Sequence, residues 1–126
     1  MATILIVDDI ADNRQLLRFD LEDDHHKVIE AADGYACLEK VESEQPDLIL
    51  LDMMMPNMNG IETLEAIRKM EGYSKIPAIF LTARASVNQN EELLDAGALD
   101  VIVKPFDPLE LGREVKQLLS GASVSS

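Results

Sequence analysis

Several runs in this chain are too short to be helices, yet they are apolar at every position. Ile4 to Val7 reads ILIV, Leu48 to Leu51 reads LILL behind Pro46, and Ala78 to Leu81 reads AIFL behind Pro77. A strand with one wet face alternates apolar and polar residues, whereas a strand apolar throughout has to be covered on both sides. That requirement points to a parallel sheet with helices packed on each face, because the crossovers that join parallel strands also supply the covering layers.

Taken in order, the patterns alternate. Thr3 to Val7 predicts a first strand with Asp8 and Asp9 at its carboxyl end. From about Asp12 to Asp23 a helix is expected, with Ile10, Leu17 and Leu21 at helical spacing for the dry side and Asn13, Arg14 and Asp20 for the wet side. Lys27 to Ala31 predicts a second strand, and Asp33-Gly34 turns the chain into a helix on which Cys37 and Val41 share a face. The third strand ends at Asp52, after which Pro56 and Gly60 force a loop. Ile61, Leu64, Ile67 and Met70 mark a third helix ending before Gly72, and Pro77 to Thr82 a fourth strand. A fourth helix is expected over Val87 to Ala96, stopped by Gly97, and a fifth strand over Leu99 to Val103. Leu111, Val115, Leu118 and Leu119 form the stripe of a fifth helix. The expectation is one α/β domain over residues 1–120 and a flexible polar tail over 121–126.

Composition narrows the function. With 126 residues there is enough chain for one core and too little for two. Acidic residues outnumber basic ones 24 to 11, for a formal charge of −13. Such a surface repels phosphate backbones and anionic lipid, so neither direct nucleic-acid binding nor a membrane role is expected. Cys37 is the single cysteine and reads as a packing residue on its helix; there is no Cys/His spacing for structural zinc. The apolar run at the start is cut short by Asp8 and Asp9, which is not a signal peptide, and the chain reads as cytoplasmic. His25 and His26 read as solvated residues of a charged turn.

In a parallel sheet with right-handed crossovers, all carboxyl ends of the strands lie along one rim. That rim would collect Asp8, Asp9, Asp52, Thr82 and Lys104. Each pair of carboxylates about 4 Å apart repels by roughly 4 kcal/mol at an effective dielectric near 20, so protons or a cation must relieve the group. Oxygen ligands with room left for water suit Mg²⁺ or Mn²⁺. The hydroxyl and the ammonium would then be donors for an anion.

Asp8-Asp9 after the first strand, Asp52 within LLDMMMPNMNG, Thr82-Ala83 after PAIFL, and Lys104-Pro105-Phe106 together resemble the signature of response-regulator receiver domains, in order and spacing, over about Thr3 to Leu119. The resemblance implies a flavodoxin-like, doubly wound, five-stranded parallel sheet of order 2-1-3-4-5 with five helices. It implies that Asp52 accepts a phosphoryl group from a sensor histidine kinase or a histidine phosphotransfer protein. Mg²⁺, or Mn²⁺ in its place, would be held by Asp9, Asp52, the main-chain carbonyl of Met54, and Asp8 through water. Lys104 and Thr82 would bond the phosphoryl oxygens. Such a chain catalyses its own phosphorylation and dephosphorylation without being an enzyme for other substrates. It signals to a downstream protein target as a monomer or as a phosphorylation-dependent dimer. Both a stand-alone regulator and a receiver cut from a hybrid kinase or multidomain regulator fit.

Other readings fit less well. A haloacid-dehalogenase-like phosphohydrolase needs an acid two residues after its nucleophile, where this chain has Met54; an FMN carrier needs a Ser/Thr/Gly phosphate loop where it has Asp8 and Asp9. One departure from the receiver pattern is Val101, three residues before Lys104, where the family carries an aromatic. Phe106 reads as a packing or partner-facing residue.

Overall fold

A computed structural model describes residues 2–23, 26–53, 55, 58–73, 76–82, 95, 100–103, 111–113 and 115–116. The elements run β1 (Thr3–Val7), α1 (Ala11–Asp23), β2 (Lys27–Ala31), α2 (Gly34–Glu44), β3 (Leu48–Asp52), α3 (Gly60–Arg68), β4 (Ala78–Thr82) and β5 (Asp100–Val103). Residues 111–113 and 115–116 are also helical. The five strands form one parallel sheet in the order β2-β1-β3-β4-β5.

The unbroken apolar runs do what two-sided burial requires. Every residue of β3 and β4 is buried, and successive side chains alternate between two cores. Leu5, Val7, Ile49, Leu51 and Phe80 pack on one face with Cys37 and Val41 of α2 and Leu64 and Ile67 of α3. Ile4, Ile6, Leu48, Leu50, Ile79 and Leu81 pack on the other with Leu17 and Leu21 of α1 and with Leu111 and Val115. Each such side chain contributes about 1.5–3 kcal/mol relative to exposure. Burial pushes the Cys37 thiol up to about 12, reinforced by the nearby charge of Asp33, so the group is an inert packing residue as expected.

Local polar groups set the helix limits. Asp33 caps α2, its side chain accepting from the Ala36 N–H at 2.8 Å. Gln45 ends that helix in a left-handed conformation (φ 49°) immediately before Pro46. Asn59 and Glu62 form a reciprocal capping box at the start of α3. Gly60 is the first residue of α3, and its N–H donates to the Met53 carbonyl at 2.9 Å. A Cβ there would meet the Asp52 carbonyl oxygen and the Phe80 ring edge at 2.7 Å each. The glycine therefore lets α3 begin directly against the end of β3, which is more than the loop signal read from the sequence.

Three expectations are corrected. Ile10 is not on the dry face of α1 but 52% exposed, because it precedes the helix: its carbonyl accepts the N–H groups of Asn13 and Arg14. Arg14 is not on the wet side; it turns onto β2 and pairs with Glu30. His26 is half-buried, its N–H donating to the Leu21 carbonyl. Met70 lies in the turn after α3 and still packs against the first core. β4 begins at Ala78, one residue after Pro77, which lacks a ladder donor. Of the expected fourth helix only Asp95 is described, and it is helical. The rest of Val87 to Gly97, together with His25, Leu118, Leu119 and the tail, lies outside the described residues.

Glu30 ties α1 to β2 through Arg14 (2.9 Å) and Arg18 (2.6 Å). Burial alone would raise its pKa; the hydrogen bonds from Arg18 and Arg14 outweigh that and hold it below the ordinary glutamate value of 4.5. A carboxyl whose pKa is lower folded than unfolded adds stability that is fully present above 4.5 and is lost as pH falls through the folded value. Glu30→Gln should therefore melt below the wild type at neutral pH, with the gap closing on acidification below 4.5; a gap that does not change with pH in calorimetry would refute the charge contribution. Gly60→Ala should lower the unfolding free energy in urea by about 1–3 kcal/mol, since backbone and a buried ring would have to move; an unchanged midpoint would refute the close approach.

Candidate functional site

The strand order reverses between β1 and β3: the chain leaves β1 for the edge strand β2 and returns on the other side to β3. Open α/β sheets bind ligands at such a switch point, outside the carboxyl ends of the strands. Here that crevice receives Asp8 and Asp9 from the end of β1 and Asp52 from the end of β3, since Val7 pairs with Leu51 in register. One carboxylate oxygen from each of the three lies within 4.8 Å of the others. Asp8 is fully buried, Asp52 is 5% exposed and Asp9 is exposed.

Exposed acidic residues often gather on protein surfaces. Two carboxylates buried at adjacent strand ends are different, because burial raises the cost of charge and proximity adds repulsion. Asp8 is also held tightly. Its Oδ1 accepts from the Ile10 N–H at 2.9 Å, its own N–H donates to the Ala31 carbonyl at 3.2 Å, and its carbonyl accepts from Arg14 Nη1 at 2.7 Å. The donor set is all oxygen, with one face toward solvent, and so fits a hard divalent cation that keeps several waters. The sequence reading placed Asp8, Asp9 and Asp52 together, and the structure does bring them together.

Thr82 closes β4 and is 2% exposed; the residue before it, Leu81, pairs with Asp52, and the Leu81 carbonyl accepts from the Met53 N–H at 3.0 Å. The hydroxyl residue thus stands one strand over from the acids on the same rim. Val103, the last residue of β5, pairs with Thr82. Lys104, which follows it, lies outside the described residues, as do Pro105, Phe106 and Met54. Val101 is half-buried in β5, in register with Phe80, and packs on the core shared with α2 and α3. Two residues at this corner were not foreseen in their roles. Arg14 bonds the Asp8 carbonyl and Gly60 packs closely against the Asp52 carbonyl, and the signals available were an arginine shortly after the acid pair and a glutamate within the VIEA run that follows Lys27 in β2.

Residues 4–116 match the family model for the response regulator receiver domain. The chain is 37% identical over 123 residues to the alkaline phosphatase synthesis transcriptional regulatory protein PhoP of Bacillus subtilis, covering 98% of this chain and 50% of that protein. It is 42% identical over 123 residues to the transcriptional regulatory protein ResD of the same organism, with the same coverage of each. The chain therefore spans about half the length of these relatives. Among solved structures, the chemotaxis protein CheY4 of Vibrio cholerae superimposes with a TM-score of 0.89 at 35% identity, covering 94% of this chain and 99% of that one. With its five parallel strands in this order and the family model matching nearly its whole length, this chain belongs to the response regulator receiver domains of two-component systems.

Proposed function

We propose that Asp52 is the phosphoacceptor of a phosphorylation-controlled signalling domain, with Asp8, Asp9, Asp52 and the Met54 carbonyl holding Mg²⁺, or Mn²⁺ in its place. The observation that carries this reading is the meeting of three carboxylate oxygens within 4.8 Å at the switch point, two of the acids buried. The donor is a phosphohistidine on a sensor kinase or a phosphotransfer protein. A carboxylate oxygen of Asp52 attacks phosphorus, the P–N bond to the imidazole breaks with its electron pair staying on the nitrogen, and the ring takes up a proton from solvent, leaving a neutral histidine. A carboxylate nucleophile has no proton to lose on attack, so the step needs no general base. A bound divalent cation would neutralise the charge that gathers on the transferring group. Water later cleaves the acyl phosphate, so the mark is transient.

The rest of the rim reads out the mark. Thr82 donates its hydroxyl and Lys104 its ammonium to phosphoryl oxygens. Charge-assisted bonds contribute about 1.5–3 kcal/mol each, and two or three of them approach the roughly 5.5 kcal/mol that carries a two-state equilibrium from one side to the other. Output is binding to a downstream protein or onward phosphotransfer, by a monomer or a phosphorylation-dependent dimer. The receiver occupies 1–120, with 121–126 as a tail. The same site serves a receiver that works alone and one joined to a second domain. Among the described residues no helix is long and apolar enough to cross a membrane, in keeping with work in the cytoplasm.

Incubation with acetyl phosphate, followed by intact mass, should show the gain of one phosphoryl group that requires Mg²⁺ and disappears in Asp52→Asn. Failure of the wild type to gain mass would leave a domain that binds partners without being phosphorylated. With Val101 in place of an aromatic, the response should pass through the Val87 to Val103 segment without a swinging ring. Amide exchange there should change on adding beryllofluoride, and no change anywhere in the segment would overturn its part in the signal.

A further inference from the structure

Arg14 lies in the first turn of α1, and its guanidinium makes two bonds in different directions. Nη1 donates to the Asp8 carbonyl at 2.7 Å, and Nε donates to Oε1 of Glu30 at 2.9 Å. The other oxygen of Glu30 accepts from Arg18 Nη1 at 2.6 Å, and Arg18 Nε reaches Glu22 at 3.0 Å. Meanwhile the Asp8 N–H donates to the carbonyl of Ala31, the residue after Glu30. The last two residues of β2 thus hold Asp8 from both ends of its backbone, Ala31 directly and Glu30 through Arg14.

The Asp8 carbonyl and the Asp9 N–H belong to one planar peptide. A bond that fixes the carbonyl fixes that plane, and with it the direction in which the Asp9 backbone departs. Asp9 is the exposed member of the three carboxylates, so packing does least to hold it. An arginine fork can bond the carbonyl and the carboxylate at once from a fixed geometry, which an ammonium on a flexible stem does less well. Oε1 of Glu30, on the strand β2, keeps the fork from swinging away.

We infer that Arg14, clamped by Glu30, is a positioning residue that sets the Asp8–Asp9 peptide and so raises the affinity of the carboxylate cluster for a divalent cation. This rests on the reading of Asp8, Asp9 and Asp52 as a cation site. Charge alone predicts the opposite sign. A guanidinium beside the cluster repels an incoming cation, so its removal without loss of alignment would tighten binding. Arg18 carries the same charge nearby but bonds Glu30 and Glu22, not the Asp8 carbonyl. It serves as the control for charge and for loosening of α1.

Calorimetric titration of the whole chain with Mg²⁺ separates the two effects. Arg14→Gln should weaken binding by about tenfold, the scale on which residues that orient metal ligands act. Arg14→Lys should recover part of the loss, and Arg18→Gln should keep the wild-type affinity or bind more tightly, even where thermal melting shows that it is destabilised as much as Arg14→Gln. Equal or tighter Mg²⁺ binding by Arg14→Gln overturns the inference while leaving the cation site intact. A wild type that binds no Mg²⁺ overturns the cation site and the inference with it. Should Arg14→Gln fail to fold, the wild type still decides the matter. The Nε–H resonance of Arg14 in a ¹⁵N-labelled sample should shift on Mg²⁺ saturation while that of Arg68 stays in place, and an unmoved Arg14 signal overturns the positioning role.

Discussion

Two-sided burial of the central strands is the constraint on which everything else depends. β3 and β4 have no residue that can face water, so helices must cover both faces of the sheet, and parallel pairing with right-handed crossovers is how a single chain supplies them. From that follows the geometry of the rim. All the carboxyl ends lie on one side, and the reversal of strand order between β1 and β3 leaves a crevice where the acids of two neighbouring strands meet. The site is a consequence of topology acting on residues that are far apart in the chain.

The same burial makes the site costly to build. Asp8 and Asp52 are carboxylates at the edge of an apolar layer, and such groups persist only when hydrogen bonds, counter-charges or a cation satisfy them. Asp8 shows how the fold meets this demand, since its carboxylate, N–H and carbonyl each have a bonded neighbour drawn from the β1–α1 turn, β2 or α1. Gly60 plays the corresponding part at β3, where the absence of a Cβ lets the capped start of α3 close over the Asp52 backbone. The Asp8 main chain is therefore held at both ends, while Asp52 is placed by its pairing with Leu81 of β4 and by the close start of α3.

Much of this was legible in the sequence. The apolar runs and the stripes of Cys37 and Val41, of Leu64 and Ile67, and of Leu17 and Leu21 all went where their period placed them. Asp8, Asp9 and Asp52 were recognisable because each lies at a strand end, and strand ends of one polarity share a rim. What misled was the treatment of Ile10 and Arg14 as members of a helical wheel. Ile10 precedes the first helical residue, so the wheel does not apply to it. Arg14 is drawn out of solvent by Glu30, a partner sixteen residues away, which no local pattern encodes.

The sequence by itself determined the class of fold, the order of the strands' apolar runs and the meeting of Asp8, Asp9 and Asp52 on one rim, because hydrophobic period and strand-end chemistry are local properties. Family membership, too, was already written in the order and spacing of the motifs. Tertiary structure alone decided which backbone groups those residues answer to: the Asp8 carbonyl under Arg14, the Asp52 carbonyl under Gly60, and the burial that separates Asp8 and Asp52 from the exposed Asp9. The physical reason is that these contacts join segments on different strands and helices, and their distances are set by sheet register and helix docking, which come into being only when the whole core packs.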